Sequence, residues 1–157
     1  MNAQSRINQA QNELNQLLEE IDPAAALDVP EASYVTAGVL HAQQLCHFLA
    51  RHSGWWNNLQ TGQLKLLEEV NIPEKLCLIH SEISEAMEGV RKDLPDDKLP
   101  HRKMVEVELA DALIRIMDLA GFMQLDLAGA VIEKLALNQR REDHRIENRL
   151  GEHGKRF

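Results

Sequence analysis

Four carboxylates with a regular spacing are the residues of this chain best suited to chemistry. Glu82 and Glu85 form one pair, three residues apart, and Glu108 and Asp111 form a second. Residues at i and i+3 lie on one side of an α-helix, so two helices that face each other would bring the four side chains together. Oxygen ligands and negative charge are what a hard cation requires. The spacing therefore predicts a Mg²⁺ site, with Mn²⁺ as a substitute.

The second pair lies in an unusually apolar stretch. Most residues from Met104 to Ala120 are apolar, which predicts a helix buried on most of its circumference. Ionised carboxylates in such surroundings are costly unless they are paired or bind a metal. Glu108 and Asp111 therefore need a partner. Either a metal ion supplies the positive charge, or Arg115 or a lysine from another helix neutralises them in a structural network.

Two adjacent tryptophans, Trp55 and Trp56, follow the end of a predicted helix. They either cap the apolar core or offer a flat wall for a nucleobase, since aromatic faces stack on any base. His47 and Gln44 lie one or two helical turns earlier and could reach the same pocket. We therefore take Trp55, Trp56 and His47 as candidate base-binding residues.

A cationic stripe marks the last long helix. Lys134, Asn138 and Arg141 fall at i, i+4 and i+7, on one face of that helix. Cations near the C-terminal end of a helix are often there only because they interact favourably with the helix dipole and with solvent. The same three residues could also bind phosphate, through the ammonium of Lys134, the amide N–H groups of Asn138 and the bidentate guanidinium of Arg141. Both interpretations stay open at this point.

The elements that must position these residues are predicted to be helices. With 157 residues, 44% hydrophobic and 4% aromatic, the chain suits one all-α domain built on Leu, Ile and Ala. Lys92 to His101 are predicted to form a solvated connection whose acidic residues serve solubility. We predict helices over about 31–52, from about 72 to that connection, from it to about 119, and over about 127–148. Asn71 is the predicted N-cap of the second, Gly54 the stop of the first and Gly121 the end of the third. The predicted buried positions are Val35, Val39, Ala42, Leu45, Cys46 and Leu49 on the first helix, and Ile72, Leu76, Ile79, Ile83, Met87 and Val90 on the second.

Residues 1–22 are predicted to form a separate amphipathic helix. Its apolar seam recurs at intervals of three and four residues, as in a short coiled coil: Ile7, Ala10, Leu14, Leu17 and Ile21. This helix would pack on the main domain, residues 30–157, or on a second subunit. Helical bundles of this size commonly share a core, so we expect a homodimer or homotetramer.

Composition excludes several classes of protein. A formal net charge of −8 argues against general nucleic-acid binding. Cys46 and Cys77 are too few for a disulfide framework or a zinc site. No apolar run has the length of a membrane span and residues 1–20 do not resemble a signal peptide, so we expect a cytoplasmic protein without membrane contacts. The chain has no Glu-x-x-His pair for a di-iron bundle and no glycine loop for a P-loop ATPase.

The motifs together resemble those of a known superfamily. Glu82-x-x-Glu85 followed by Glu108-x-x-Asp111 is similar to the signature of the MazG-like all-α nucleoside triphosphate pyrophosphohydrolases, which include dimeric dUTPases and dCTP pyrophosphatases. Lys134-x-x-x-Asn138-x-x-Arg141 and the ending His153-Gly154-Lys155-Arg156-Phe157 resemble the MazG-like Lys/Asn/Arg helix and its His-Gly-Lys terminus. The resemblance covers about half of the chain, from Lys75 onward.

The resemblance implies a fold and a reaction. The fold would be a four-helix MazG-like bundle with an extra N-terminal helix. The reaction would be hydrolysis of a nucleoside triphosphate between the α and β phosphates, giving the monophosphate and pyrophosphate. The four carboxylates would hold Mg²⁺, and Glu82 or Glu85 would take the proton of the attacking water.

The other implied roles concern the phosphates and the base. Lys134, Asn138, Arg141 and Lys155 would bind the phosphates, and residues near Trp55 would hold the base. A non-enzymatic helical oligomerisation or regulatory protein is the alternative, and a pyrophosphohydrolase acting on another phosphorylated nucleotide metabolite is a second one.

Overall fold

The computed structural model describes residues 5, 8, 9, 12 and 32–155. Within that part the chain is mostly α-helical and contains no β-strand, which confirms the predicted all-α class. The helices are α1 (Ala32–His52), α2 (Ile72–Lys92), α3 (Met104–Phe122), α4 (Leu127–Arg140) and α5 (Ile146–Arg149), with short 3₁₀ turns at Leu67–Glu69 and Glu142–His144. The predicted N-terminal helix over residues 1–22 lies almost wholly outside the described residues. None of the described helices is long and apolar enough to cross a membrane.

The chain divides into two compact units. Residues 39–127 form one, which we call the 39–127 unit, and residues 1–38 with 128–157 form the other, which we call the terminal unit. The 39–127 unit contains most of α1 and all of α2 and α3. The terminal unit contains α4 from Ala128 onward, α5 and the turn between them.

The predicted end of α1 and the predicted start of α2 are confirmed by their caps. Gly54 has a φ of 79°, a left-handed conformation that suits glycine, two residues after the end of α1. Asn71 Oδ1 accepts a hydrogen bond from the backbone N–H of Glu74 at 3.2 Å, and Pro73 lies in the first turn. These signals are local, which is why the sequence alone predicted them.

The antiparallel pair of α2 and α3 is the main helix contact of the 39–127 unit. Small residues let the two helices approach closely: Ala86 and Ala112 are buried, and a Cβ added at Gly89 would lie 3.0 Å from Met104 Cβ. The C-terminal end of α2 thus packs on the start of α3. This arrangement brings Glu82 of α2 beside Glu108 and Asp111 of α3.

The predicted apolar stripes are largely exposed, which contradicts the sequence analysis. Only Glu82, Ala86 and Gly89 are buried on α2, whereas large apolar side chains expected inside are open to solvent: Leu45 and Leu49 on α1, Leu76, Ile83, Met87 and Val90 on α2, and Leu109, Leu113 and Ile114 on α3. The reason is that α2 and α3 meet through their small residues, and two helices in contact cover only one side of each. Their larger apolar residues face away from this contact.

Two helix ends differ from the predictions. The third helix does not end at Gly121 but at Phe122, and the left-handed residue is Gln124, with a φ of 55°. The last helix ends at Arg140 and not near Asn148. Arg141 and Asp143 bond each other there, and side chains two residues apart cannot meet on a continuous helix. This local ion pair explains the early end of α4.

The connection between α2 and α3, residues 93–103, is more ordered than its composition suggested. Asp96 is buried, and its Oδ1 accepts hydrogen bonds from the backbone N–H groups of Lys98 and Leu99. Backbone bonds between Asp96 and Arg102 and between Met104 and Leu94 close the loop. Asp96 therefore holds a turn, whereas the sequence indicated a solvated acidic residue.

Candidate functional site

Three of the four predicted metal ligands lie together between α2 and α3. One carboxylate oxygen each from Glu82, Glu108 and Asp111 lies within 4.8 Å of the others. Glu82 and Glu108 are buried, with 7% and 8% of their surface exposed. Glu85 is exposed one turn further along α2, and its charge acts on Glu108. We call these four residues the acidic cluster.

Arg115 is the cation that faces the acidic cluster from within the 39–127 unit. Its Nε lies 2.7 Å from Glu82 Oε1, and its side chain is 43% exposed. Arg115 is one of the neutralising partners predicted as the alternative to a metal. A single guanidinium cannot balance four carboxylates, so the cluster keeps an excess of negative charge.

Burial and the neighbouring carboxylates raise the pKa of Glu108 from 4.5 to about 7. The largest cause is burial, which disfavours the ionised form. The second is a hydrogen bond with Glu82, and the charges of Glu85, Glu82 and Asp111 act in the same direction. Burial and the neighbouring carboxylates thus both favour a proton on Glu108.

These residues fit Mg²⁺. Two oxygens on opposite sides of a Mg²⁺ ion lie about 4 Å apart, because each metal–oxygen distance is about 2.1 Å. The three oxygens lie within 4.8 Å of one another, so small side-chain rotations suffice. The donors are all carboxylates, the ligands that Mg²⁺ and Mn²⁺ prefer, and a bound cation would offset the repulsion among them.

A second polar network lies further along α3, around Asp118. Asp118 Oδ1 accepts hydrogen bonds from Trp56 Nε1 at 2.7 Å and from His47 Nδ1 at 2.9 Å. Phe122 completes the group, because its ring stacks on Trp56 with centroids 3.9 Å apart and meets His47 edge-on. The network fixes the position of α1 and of the segment after it against α3.

The two tryptophans have opposite environments. Trp56 is 1% exposed, with Phe122 stacked on its ring and Lys75 Nζ 4.8 Å from its centroid, so no face is open to a base. In this packing Trp56 caps the core, and its predicted role as a stacking wall does not fit. Trp55 is 71% exposed and keeps a free surface.

A groove of about 760 Å³ opens beside His47, and we call it the α1 groove. It is lined by residues of α1, of the segment after it and of the end of α3, all within the 39–127 unit: Leu40, Gln43, Gln44, His47, Phe48, Arg51, His52, Asn57, Leu64, Gly121, Gln124 and Leu125. The predicted residues His47 and Gln44 therefore share one groove. Trp55 and Trp56 do not line it.

One face of α3 connects the acidic cluster with the α1 groove. Asp111, Arg115 and Asp118 lie at i, i+4 and i+7, so they project from the same side of the helix. With a rise of 1.5 Å per residue, Asp111 and Asp118 are about 10 Å apart along the helix axis. Asp111 of the acidic cluster and Asp118 of the second network thus lie at the two ends of one face of α3, with Arg115 between them.

The predicted phosphate-binding residues belong to the terminal unit. Lys134 is exposed, and Asn138 Oδ1 is buried without a hydrogen-bond partner among the described residues. Asp143 accepts hydrogen bonds from both Arg141 and Lys155, at 2.6 and 2.8 Å, and these ion pairs hold the pKa of Asp143 well below its usual range. The acidic cluster belongs to the other unit, so the phosphate-binding role of these residues stays a prediction.

Sequence reasoning missed Asp118 and Gln43. Asp118 had a signal, since it lies seven residues after Asp111 and falls on the same helix face. Gln43 had none, because its importance depends on burial and on a bond to Leu125, 82 residues away. The partners of both residues come within hydrogen-bond distance only when α1 packs on α3.

Comparisons with protein-family models, with curated proteins and with solved structures gave no match to this chain.

Proposed function

We propose that this chain is a Mg²⁺-dependent hydrolase of nucleoside triphosphates that releases the monophosphate and pyrophosphate. The observation that carries the proposal is the acidic cluster, in which three carboxylate oxygens converge within 4.8 Å and burial together with the neighbouring carboxylates raises the pKa of Glu108 to about 7. The resemblance of the same residues to the MazG-like signature supplies the reaction class. Mg²⁺ is the proposed cofactor, and Mn²⁺ its substitute.

The reaction is a displacement at the α-phosphorus. A water oxygen forms a bond to the α-phosphorus, the bond to the oxygen that bridges to the β-phosphorus breaks, and pyrophosphate leaves with that oxygen. When bound, Mg²⁺ supplies positive charge to phosphate oxygens and lowers the pKa of a water. Glu82, Glu108 and Asp111 would hold the ion.

Glu85 is the better of the two predicted bases. Glu82 is buried, paired with Arg115 and bonded to Glu108, so its oxygens are engaged. Glu85 is exposed and acts on the cluster only through its charge, which leaves it open to a water at the edge of the site. Glu85 would therefore take the proton of the attacking water.

Positive charge for the leaving pyrophosphate would come from Lys134 and Arg141. Arg141 and Lys155 are engaged by Asp143, so substrate phosphates would have to replace that carboxylate as their partner. Phosphate oxygens accept the same bidentate hydrogen bonds as a carboxylate, which makes this exchange chemically reasonable. Arg115, beside the cluster, is a further cation that a phosphate would meet.

The proposed architecture is a MazG-like bundle that assembles as a homodimer or homotetramer. The exposed apolar residues of α2 and α3 support this assembly, since monomers rarely expose large contiguous apolar patches. A second copy that covers Leu76, Ile83 and Met87 would complete the core that one chain leaves open. The oligomeric mass in solution, measured by light scattering, tests this part of the proposal.

The decisive experiment is incubation of the purified protein with Mg²⁺ and a panel of canonical and modified nucleoside triphosphates, with pyrophosphate resolved from orthophosphate. Pyrophosphate together with the monophosphate would support the proposal. Orthophosphate alone would contradict the site of cleavage. Absence of any product, together with no effect of Mg²⁺ on the melting temperature, would favour the non-enzymatic alternative, in which Arg115 neutralises a structural carboxylate.

A pair of variants on one helix separates catalysis from folding. Glu85→Gln should abolish turnover while the melting temperature stays close to that of the wild type, because the residue is exposed. Glu88→Gln is the matched control one turn later, where the carboxylate pairs with Arg91 and Lys92 on the surface. Full activity in Glu85→Gln would remove Glu85 from the proposed mechanism.

A further inference from the structure

Two cations, Lys75 of α2 and Arg115 of α3, line one small cavity beside the acidic cluster. The cavity lies within the 39–127 unit, and we call it the 75–115 cavity. It is lined by residues of α2, of α3 and of the segment after α1: Trp56, Lys75, Leu78, Arg115, Asp118 and Leu119. Its volume of about 30 Å³ has room for water or for the oxygen atoms of a ligand, but not for a nucleobase.

Lys75 is a half-buried cation without an anionic partner in the described part of the chain. Its Nζ lies over the ring of Trp56, 4.8 Å from the centroid. None of the ion pairs among the described residues includes it. The aromatic ring offsets part of the cost of removing the ammonium from water, but it does not replace a counter-charge. An anionic ligand in the cavity would therefore stabilise this side chain.

The other charged groups of the cavity leave Lys75 available. Arg115 pairs through Nε with Glu82, and its guanidinium has no other partner among the described residues, although it carries five N–H donors. Asp118 is the carboxylate in the cavity wall, and its Oδ1 already accepts hydrogen bonds from Trp56 and His47. The cavity thus combines an unpaired ammonium, a guanidinium with spare donors and a carboxylate that other donors already engage.

We infer that Lys75 and Arg115 bind one phosphate group of the nucleotide, the group whose other oxygens face the acidic cluster. Arg115 lies four residues after Asp111, which is about 6 Å along the axis of α3. A metal–oxygen bond of about 2.1 Å and a charge-assisted hydrogen bond of about 2.8 Å, joined through one phosphate, span a similar distance. The inference deepens the proposed function and rests on it, since the cluster would hold the metal.

The ion pair between Arg115 and Glu82 couples the two sites. When Glu82 serves as a metal ligand, its hold on Arg115 weakens, and the guanidinium can turn to a phosphate oxygen in the 75–115 cavity. Binding of the metal and binding of the phosphate should therefore strengthen each other. Lys75 is free of such competition and should contribute to phosphate binding directly.

The test is an NMR titration of the wild-type protein with inorganic phosphate, at constant ionic strength and with Mg²⁺ in excess. Phosphate should shift the indole N–H signal of Trp56, because Lys75 lies on that ring, and should leave the signal of Trp55, which does not line the cavity. Acetate should bind more weakly than phosphate, since it has fewer oxygens and less charge. EDTA in place of Mg²⁺ should also weaken the binding of phosphate.

Lys75→Met should lower the affinity for phosphate about tenfold, the effect of one charge-assisted hydrogen bond. Methionine is unbranched and keeps a favourable contact with the Trp56 ring, so the fold should persist. Lys98→Met is the matched control, because it removes the same charge from an exposed position outside the cavity, and it should keep the wild-type affinity. The wild-type titrations need no variant, so the test stands even if Lys75→Met does not fold.

The outcomes separate this inference from the proposed function. Absence of phosphate binding, equal affinities for phosphate and acetate, an affinity independent of Mg²⁺, or an unchanged affinity in Lys75→Met would each overturn the inference. Phosphate binding that depends on Lys75, without release of pyrophosphate from any triphosphate, would keep the phosphate site and overturn the proposed reaction. Release of pyrophosphate by a protein whose phosphate affinity does not depend on Lys75 would do the reverse.

Discussion

Arg115 Nε lies 2.7 Å from Glu82 Oε1, and this ion pair joins α3 to α2 at the edge of the acidic cluster. The two partners differ in exposure: the Arg115 side chain is 43% exposed and that of Glu82 only 9%. Loss of the arginine would therefore leave a buried carboxylate among other carboxylates. A bound cation would relieve the same repulsion, so the arginine and the cation have overlapping effects on stability.

Arg115→Met should lower the stability of the metal-free protein by about 1–2 kcal/mol, because breaking a partly buried pair leaves the buried carboxylate uncompensated. Mg²⁺ should then raise the melting temperature more in this variant than in the wild type, since the cluster has one positive charge fewer. Thermal unfolding with and without Mg²⁺ measures both effects.

Arg102→Met provides the control, because Arg102, two residues before α3, pairs with the exposed Glu106 of α3 at 3.4 Å. Such a pair contributes about 0–1 kcal/mol. If both variants lose the same stability and respond equally to Mg²⁺, Arg115 has no special relation to the acidic cluster.

Glu108 should make the metal-free protein less stable as the pH rises. Its pKa is 4.5 ordinarily and about 7 in the folded chain, so between these values the folded state binds more protons than the unfolded state. The contribution of this group is then fully present below pH 4.5 and is lost as the pH rises through about 7.

Urea unfolding in EDTA, across a pH series that spans 4.5 to about 7, measures this effect. Glu108→Gln removes the titrating group, so its stability should fall less over the series than that of the wild type. Glu106→Gln, on the exposed side of the same helix, should follow the wild type. Parallel curves for all three proteins would contradict the raised pKa.

Mg²⁺ binding should release a proton when the pH is below about 7. The ion requires ionised ligands, and Glu108 is protonated there, so the proton must leave as the metal enters. The affinity for Mg²⁺ should therefore rise with pH and level off above about 7. Calorimetric titration in two buffers of different ionisation enthalpy counts the protons. The same proton count on both sides of this pH would place Glu108 outside the metal site.

Gly121→Ala should destabilise the contact between α1 and α3. The added Cβ would lie 2.5 Å from His47 Cβ and 2.9 Å from His47 Cγ, so the helices must separate, at a cost of about 1–3 kcal/mol. Gly38→Ala is the matched control within α1, where a Cβ meets nothing within 4 Å. That variant should stabilise the protein by roughly 0.5–1 kcal/mol, the helix preference of alanine over glycine. Chemical denaturation resolves the opposite signs, and a neutral Gly121→Ala would show that the contact is loose.

The helices could be predicted because their signals are local. Asn71 and Pro73 mark the start of α2, Gly54 follows α1, and the carboxylate spacing indicated which faces of α2 and α3 would meet. The fold class and the convergence of Glu82, Glu108 and Asp111 follow from such patterns. Cap residues and side-chain spacing were therefore sufficient for this part of the fold.

The wrong predictions share one physical cause. Periodicity identifies the apolar face of a helix, but it does not show what that face packs against. The stripe of Leu76, Ile83 and Met87 was expected inside but is exposed, because α2 meets α3 through Ala86 and Gly89. The end of the last helix was missed because the bond between Arg141 and Asp143 competes with continued helix.

For the same reason the sequence could not decide between the two roles predicted for Trp56, capping the core or stacking on a base. Its two neighbours, Phe122 and Lys75, come from α3 and α2, and only tertiary packing places them on its ring. The adjacent Trp55 has the same residue type and the same local sequence, yet it is exposed. Residue type and position along the chain therefore did not separate the two.

The contrast between these two indoles gives the chain a built-in optical probe. Trp56 is enclosed and hydrogen-bonded to Asp118, whereas Trp55 is in contact with water, so we expect their fluorescence emission at shorter and longer wavelengths respectively. The short-wavelength component reports on the junction of α1, α2 and α3, and the long-wavelength component on the surface beside it. Any event that separates α1 from α3 is thus visible in the intrinsic emission of the protein, without an attached label.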